Sequence, residues 1–461
     1  MEHMSFLPTI LVFVGLLSLS TLSLIIPKKG RIISYFLTIM NYCIFLYAIN
    51  SQMDLGLTNL FQLNSLGAKI LSISTIFAII MTLINGYSEF KDVRNSLITS
   101  FIFLGAIFLV GSTEFITFYV SLELMSLMGY SLVRLSGLEF SKEAAVKYFI
   151  QGSINSTIFL LAIAFFYGAT GGFEFKGFTI LNHQLYAFSI GLLLIVAFFK
   201  LGAFPFHSWV PDVYSNVHKG VLASNFLITK FVTGFILITL VQNLISDCEP
   251  HIQQMMVSII IVVSIISAFY GNIMGLAQNQ FKRMIAYSSV AHSGYMLMTI
   301  GLNIDQGYEK QLIFYLMFYS ISATAVILLI NFFLDIDGNK DTYEGLKGGF
   351  YKNHLMGTLL CICVLSLAGI PLTSGFASKY LLFTNYFKEG LIGPALALLI
   401  SSIIGIGYYI KVVISLFMEE KPEHYTPLHG GVISLENKFL LTAMAIVVIL
   451  GGVLPSIFIN F

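Results

Sequence analysis

A small set of side chains that can gain or lose a proton stands inside long apolar runs of this sequence: Glu123, Lys200, Lys230, His292 and Lys379, with Lys147, His207 and Lys411 nearer the run ends. An ionised group at the centre of a bilayer costs at least about 2.5–3.5 kcal/mol on insertion scales, so each one needs a reason to be there. The chemistry open to such a set is proton exchange. A buried carboxylate, amine or imidazole changes charge with its surroundings, and the charge on one group sets the proton affinity of the next.

Glu123 lies midway along the run 113–133. At about 1.5 Å per residue it is roughly 15 Å from either end, too far for a short side chain to snorkel. A carboxyl moved between a lone neutral state and an ionised state beside a lysine is a proton-binding switch; the alternatives are a permanent structural ion pair and a protonated packing residue. Lys230 falls near the middle of the run 220–246, and Lys200 just before a break in 184–205. Lysine suits a relay better than arginine, because desolvation lets an ammonium release its proton near neutral pH. Lys200 has the better claim to pair with Glu123, and snorkelling toward a helix end is its competing explanation.

His292 is central in the run 280–302, among Ser288, Ser289 and Ser293. It reads either as a relay or as a neutral histidine bonded between helices, and the nearby hydroxyls favour hydration. Lys379 follows a break in 353–383 and is the expected terminal site. For Lys147, His207 and Lys411, anchoring at the interface competes with conduction, which makes them a second tier. Glu114 opens a helix, where the helix dipole stabilises a carboxylate without any functional role.

The elements that must position these groups follow from composition. The chain is 57% hydrophobic and 10% charged with mean hydropathy +0.87, where a soluble domain carries roughly 25% charged residues. Apolar runs long enough to span a bilayer recur from end to end, and the dyad alternation of a β-barrel is absent. The expected fold is an all-α polytopic membrane protein of about fourteen transmembrane helices. They lie near 5–26, 31–50, 66–87, 95–111, 113–133, 144–169, 184–205, 220–246, 252–276, 280–302, 308–334, 353–383, 390–418 and 437–459. Phe6 to Ile26 is too long for a signal-peptide core and lacks a basic region before it, so it reads as a retained helix.

Most of the 24 Lys and Arg fall after odd-numbered runs. The positive-inside rule then puts Lys28-Lys29-Gly30-Arg31 and Gln280-Phe281-Lys282-Arg283 on the cytoplasmic or matrix side, with both termini opposite. A net charge of +1 offers no field for nucleic acid. Cys43, Cys248, Cys361 and Cys363 form no recognisable ligand set, and there is no Walker sequence, no GxGxxG and no histidine pair at metal-ligand spacing. No metal or cofactor is expected on the chain. Phe198-Phe199 and Tyr408-Tyr409 read as packing or interfacial anchors, and His424 and His429 as surface residues.

Helix breakers interrupt the seventh run at Phe199 to His207 and the twelfth at Gly369 to Lys379, each with a lysine close by. Interrupted segments five helices apart point to an inverted repeat with ion pathways at the breaks, although proline kinks without a transport role are also common. The expected organisation is helices 1–3 in 1–90, a first repeat of helices 4–8 in 91–250, a second of helices 9–13 in 251–420, and helix 14 in 421–461.

Several longer motifs carry a resemblance. They are Ser121-Leu122-Glu123-Leu124-Met125-Ser126-Leu127-Met128-Gly129-Tyr130, Glu143 through Phe149, Phe199-Lys200, Pro205 through Tyr214, Lys282 through Tyr295, and Gly375-Phe376-Ala377-Ser378-Lys379-Tyr380. Through most of its length the chain resembles the antiporter-like subunit 2 family of respiratory complex I, called subunit N in bacteria. Glu143 to Phe149 with Tyr167-Gly168-Ala169-Thr170-Gly171 look more like subunit N than like its paralogues or the sodium/proton antiporter subunits.

The resemblance implies fourteen helices in two inverted five-helix repeats with helices 7 and 12 discontinuous. It also implies Glu123 with Lys200 as a glutamate–lysine pair, Lys230 as the connecting lysine and Lys379 as the terminal one, with His292 and Lys147 on a hydrophilic axis. The implied function is proton translocation within NADH:quinone oxidoreductase; a sodium/proton antiporter subunit and a structural scaffold are the alternatives. FMN, iron–sulfur clusters and quinone are then expected in other subunits, and the partners are other membrane-arm subunits, including neighbouring antiporter-like ones, and lipids. Forty-two Phe and 23 Tyr point to an AT-rich organellar genome and hence the mitochondrial inner membrane, with a bacterial cytoplasmic membrane as the alternative. Relatives usually have a proline-containing stretch after the position of Asp212, where this chain reads Ser215-Asn216-Val217-His218-Lys219-Gly220-Val221, so the local geometry there is an open question.

Overall fold

The computed structural model describes residues 31–50, 61–87, 93–302, 308–337, 341–418 and 435–459. The expected first span 5–26, the Lys28-Lys29-Gly30 loop and the segment with His424 and His429 lie outside the described residues. Among the described residues the structure is helical with no strand, and every expected span from the second to the fourteenth is met by helix. Among the described residues, eight helices are long and apolar enough to cross a membrane, joined by shorter apolar ones such as His354–Ala368. The protein is an all-α, multi-pass membrane protein.

The chain divides into two compact units, 1–197 with 227–253 and 198–226 with 254–461. The first holds α1 (Arg31–Asn50), α2 (Ser65–Tyr87), α3 (Val93–Gly111), α4 (Phe115–Arg134), α5 (Ser141–Thr170) and most of α6 (His183–Leu201). Small residues let its backbones approach: a Cβ on Gly105 of α3 would lie 2.6 Å from the Met125 side chain on α4. Membrane helices associate through such close packing, because lipid supplies no hydrophobic drive between them. Buried hydroxyls on these helices bond back to their own helix, Thr75 to the Leu71 carbonyl, Thr99 to Asn95 and Ser126 to Leu122, which satisfies these three donors within hydrocarbon.

After the short helices α7 (Trp209–Ser215) and α8 (Lys219–Ser224) comes a π-helical turn, Asn225–Lys230, and then α9 (Phe231–Ser246). The helix expected over 220–246 is present as one span, Lys219–Ser246, with the π turn inside it. A π turn bonds i to i+5, so it inserts an extra residue and re-aims the side chains around it, here ending on Lys230. In the first unit α9 rests on α2 and α3, with Phe231 edge-on to Phe77 at 5.2 Å.

The second unit continues with α10 (Pro250–Leu276), α11 (Phe281–Leu297), α12 (Glu309–Asp337), α13 (Gly349–Lys352), α14 (His354–Ala368), α15 (Ser374–Lys388), α16 (Ile392–Phe417), α17 (Leu435–Val453) and α18 (Pro455–Ile459). Its centre is α11, buried along nearly its whole length. Two glycines seat it on α10: a Cβ on Gly271 would meet the Ala291 backbone at 2.5 Å, and one on Gly294 the Ser264 carbonyl at 2.5 Å. Lys282 fixes the other end, its backbone N–H donating to Asp341 at 3.2 Å and its ammonium to the Val217 carbonyl at 3.1 Å. Burial pushes the Asp341 carboxyl above its ordinary range, while the Lys282 charge and two backbone N–H groups act in the opposite sense. His218 settles the 215–221 segment locally, capping α8 by accepting the Gly220 N–H on Nδ1 at 3.3 Å.

Candidate functional site

Both expected breaks end a helix in the same way. At the first, Gly202 adopts φ +72°, its N–H bonding Phe199 O while the Ala203 N–H reaches Phe198 O. At the second, Gly369 adopts φ +84°, its N–H bonding Ser366 O while the Ile370 N–H reaches Leu365 O. This double bond across a left-handed glycine is the Schellman termination. It satisfies two of the four carbonyls a helix end leaves open and exposes the rest.

What takes the remaining carbonyls differs between the breaks. At the first, the Ser293 hydroxyl donates to Leu201 O at 2.6 Å, while the Trp209 indole adds a second bond, at 3.1 Å, to the Phe199 O that Gly202 already holds. At the second, the Lys379 ammonium, arriving from α15, donates to Leu367 O at 3.3 Å and Ala368 O at 3.0 Å, with its third bond to Ser402 Oγ at 2.9 Å. An ammonium has three donors, so this set satisfies it fully at the negative end of a helix dipole. The Tyr295 ring lies 5.4 Å from Nζ, within cation–π range. Gly369 is required for its positive φ, and a Cβ there would also crowd the Lys379 stem at 3.0 Å.

His292 faces the same place. Its Nδ1 pairs with the Tyr315 hydroxyl at 2.6 Å, its Nε2 with the Tyr409 hydroxyl at 3.4 Å, and its ring packs on Tyr319 at 4.5 Å. His292 and Lys379 line one cavity of about 10 Å³, room for a single water. Ser322, Ser366 and Ser378 add hydroxyls to the wall. A second polar array stands behind Tyr295: Asn272 Nδ2 donates to the Tyr295 hydroxyl at 2.8 Å and to Ser401 O at 2.8 Å, and Tyr408 donates to Asn272 Oδ1 at 2.9 Å. Thus the structure brings together His292 and Lys379, which lie far apart in sequence, inside the second unit.

The other expected residues are placed as follows. Lys230 is buried at the end of the π turn, and Glu123 is half-buried halfway along α4. Lys200 is half-buried in the last turn of α6, where the helix dipole favours a cation. Of the second tier, Lys147 is exposed and pairs with Glu143 at 2.9 Å one turn back. An exposed i,i+4 pair of this kind contributes well under ~1 kcal/mol. Lys411 is exposed with Nζ 4.1 Å from the Tyr343 ring centroid. His207 is buried, stacked on Phe204 and edge-on to Tyr270 at 4.6 Å.

Sequence reasoning missed the tyrosines. Tyr408 and Tyr409, read as packing or interfacial anchors, are buried and bonded to Asn272, Ser288 and His292. The available signal was Asn272, Ser401 and Ser402 standing inside otherwise apolar runs, since a polar group there needs a partner. Among the described residues no three His, Cys, Asp or Glu side chains gather as a metal site.

The family described as NADH:quinone oxidoreductase/Mrp antiporter, TM, matches residues 112–405. NADH-quinone oxidoreductase subunit N of Flavobacterium psychrophilum is 32% identical over 364 residues, covering 76% of this chain and 78% of the relative. Subunit N 1 of Chloroherpeton thalassium is 30% identical over 429 residues, covering 89% and 87%. Among solved structures, a chain of respiratory complex I from Thermus thermophilus superposes with TM-score 0.82 at 24% identity over 98% of both chains. A chain of the Mrp complex from a Dietzia species gives 0.83 at 18% identity over 99% of this chain and 96% of that one. At such identities the two structures speak for the fold alone.

Proposed function

We propose, from the premise that this chain belongs to the NADH:quinone oxidoreductase/Mrp antiporter transmembrane family and is related across most of its length to subunit N proteins, that it is a proton-translocating antiporter-like subunit of an NADH:quinone oxidoreductase. The observation that carries the reading is the cavity shared by His292 and Lys379, a titratable pair buried in a membrane helix bundle with hydroxyls between them. Buried ionisable groups in membrane proteins mark ion and proton pathways.

In this reading Glu123, Lys200, Lys230, His292 and Lys379 exchange protons in turn, each charge setting the proton affinity of the next. From His292 a proton reaches Lys379 through the cavity, by way of the Tyr315 hydroxyl and one water. Lys379 holds its proton on the carbonyls of the broken α14 and releases it when a neighbouring charge changes. The repeats at 91–250 and 251–420 belong to the same proposal. So does the assignment of FMN, iron–sulfur clusters and quinone to other subunits, whose redox reaction supplies the energy.

The partners are the other membrane-arm subunits, neighbouring antiporter-like ones among them, and lipids. The bacterial relatives favour a bacterial cytoplasmic membrane over the mitochondrial inner membrane expected from composition. A Glu123→Gln substitution in the assembled complex tests the first step. Gln keeps the shape and loses the titration, so proton translocation should fall on the order of tenfold or more while assembly stays near wild type. Full pumping by that variant removes Glu123 from the pathway.

A further inference from the structure

The imidazole of His292 is held from both sides, and only one side leads to Lys379. Its Nδ1 meets Tyr315, which lines the cavity; its Nε2 meets Tyr409, which does not. The Tyr409 hydroxyl bonds in turn to Ser288 Oγ. Ser288 stands four residues before His292 on α11, one turn nearer the end that carries Lys282 and Arg283. Ser288, His292 and Tyr409 are all buried, so none of these contacts is a surface accident.

Hydrogen-bond capacity gives the array direction. A neutral imidazole has one donor nitrogen and one acceptor; protonated, both nitrogens donate. A tyrosine or serine hydroxyl donates one bond and accepts others. Each proton that passes must therefore reverse the sense of the bonds along the row, which hydroxyl rotation allows. A phenylalanine at 409 would fill the same space without this capacity.

We infer that Tyr409 is a proton-carrying residue, forming with Ser288 a branch that leaves His292 away from the Lys379 cavity. The inference rests on the proton-translocating reading above. In the transfer step the imidazolium Nε2–H passes to the Tyr409 oxygen as Tyr409 gives its own hydroxyl proton to Ser288 Oγ, and Ser288 passes its proton to a water molecule. Read in reverse, the same step loads His292 from water. The branch gives His292 two exits, one to Lys379 and one toward the Lys282 end of α11.

The test uses the assembled complex in sealed membrane vesicles, measuring NADH-driven quinone reduction, proton uptake and their pH profile for Tyr409→Phe, Ser288→Ala, Ser288→Thr, His292→Ala and Lys379→Met. Tyr409→Phe and Ser288→Ala should lower proton translocation roughly tenfold, less than the hundredfold or more of a lost acid–base group, because water can replace part of a hydroxyl's role. Ser288→Thr, which keeps the hydroxyl, should retain most of it. Wild-type translocation and pH profile in Tyr409→Phe, with loss in His292→Ala and Lys379→Met, overturns this inference alone. Wild-type behaviour in those last two as well sinks the proton-translocating reading itself. Should Tyr409→Phe fail to assemble, the serine pair decides: loss in Ala with retention in Thr supports the branch, and no loss in Ala, or equal loss in both, overturns it.

Discussion

Replacing Lys379 with methionine in the assembled complex is expected to cut NADH-driven proton translocation by about two orders of magnitude, the usual scale for deleting a positioned acid–base group. Methionine fills similar volume but removes the donor that serves Leu367 O, Ala368 O and Ser402 Oγ. The open end of α14 then faces the cavity with two unpaired carbonyls, each costing roughly 1–3 kcal/mol unless water enters. A second substitution separates charge from proton exchange. Lys379→Arg keeps the cation on the helix end, yet a guanidinium does not give up its proton. Arg should therefore rescue assembly and not translocation. If Lys379→Arg pumps at the wild-type rate, Lys379 is a structural cation, and the terminal step belongs elsewhere.

The second large effect is expected from one methyl group. Gly375 lies in the first turn of α15 where it crosses the end of α14, its N–H donating to Ser366 Oγ at 3.1 Å, and a Cβ there would lie 1.7 Å from the Ser366 carbonyl oxygen. The obstacle is backbone, which cannot rotate away, so Gly375→Ala must push the two half-helices apart. Overpacking of this kind costs about 1–3 kcal/mol and sometimes more. The shift also moves the carbonyls of residues 367 and 368 away from Lys379. Little complex should assemble, and what does should pump poorly. Gly393→Ala is the matched control, since nothing lies within 4 Å of a Cβ there. Equal complex levels for the two variants, measured in membranes by native gel, would show that the crossing yields more easily than its geometry implies.

Reading residues in order located much of this. The membrane class, the helices and both breaks were legible because each depends on local chemistry: about 20 apolar residues span a bilayer, and a glycine followed by proline stops a helix. The isolated charges were legible for the same reason, since a buried Lys379 or Lys230 is anomalous in any apolar run. The π turn at 225–230 was not, because no composition distinguishes it from ordinary helix. Lys411 and Lys147 stood beside His207 in the sequence as groups near run ends, and only the tertiary structure separated them, leaving the two lysines exposed and the histidine buried.

By itself, then, the sequence determined what had to be spent on insertion: which residues enter hydrocarbon, where the helices stop, and which side chains need a partner there. Who the partners are was decided by tertiary structure. The two ring nitrogens of His292 meet hydroxyls 23 and 117 residues away, and Lys379 closes on carbonyls from the preceding half-helix. Hydrogen bonds form only within a few tenths of an ångström of ideal length, and that precision comes from how closely Gly271, Gly294 and Gly375 let neighbouring backbones approach. A glycine's position is visible in a sequence; the backbone it will touch is not.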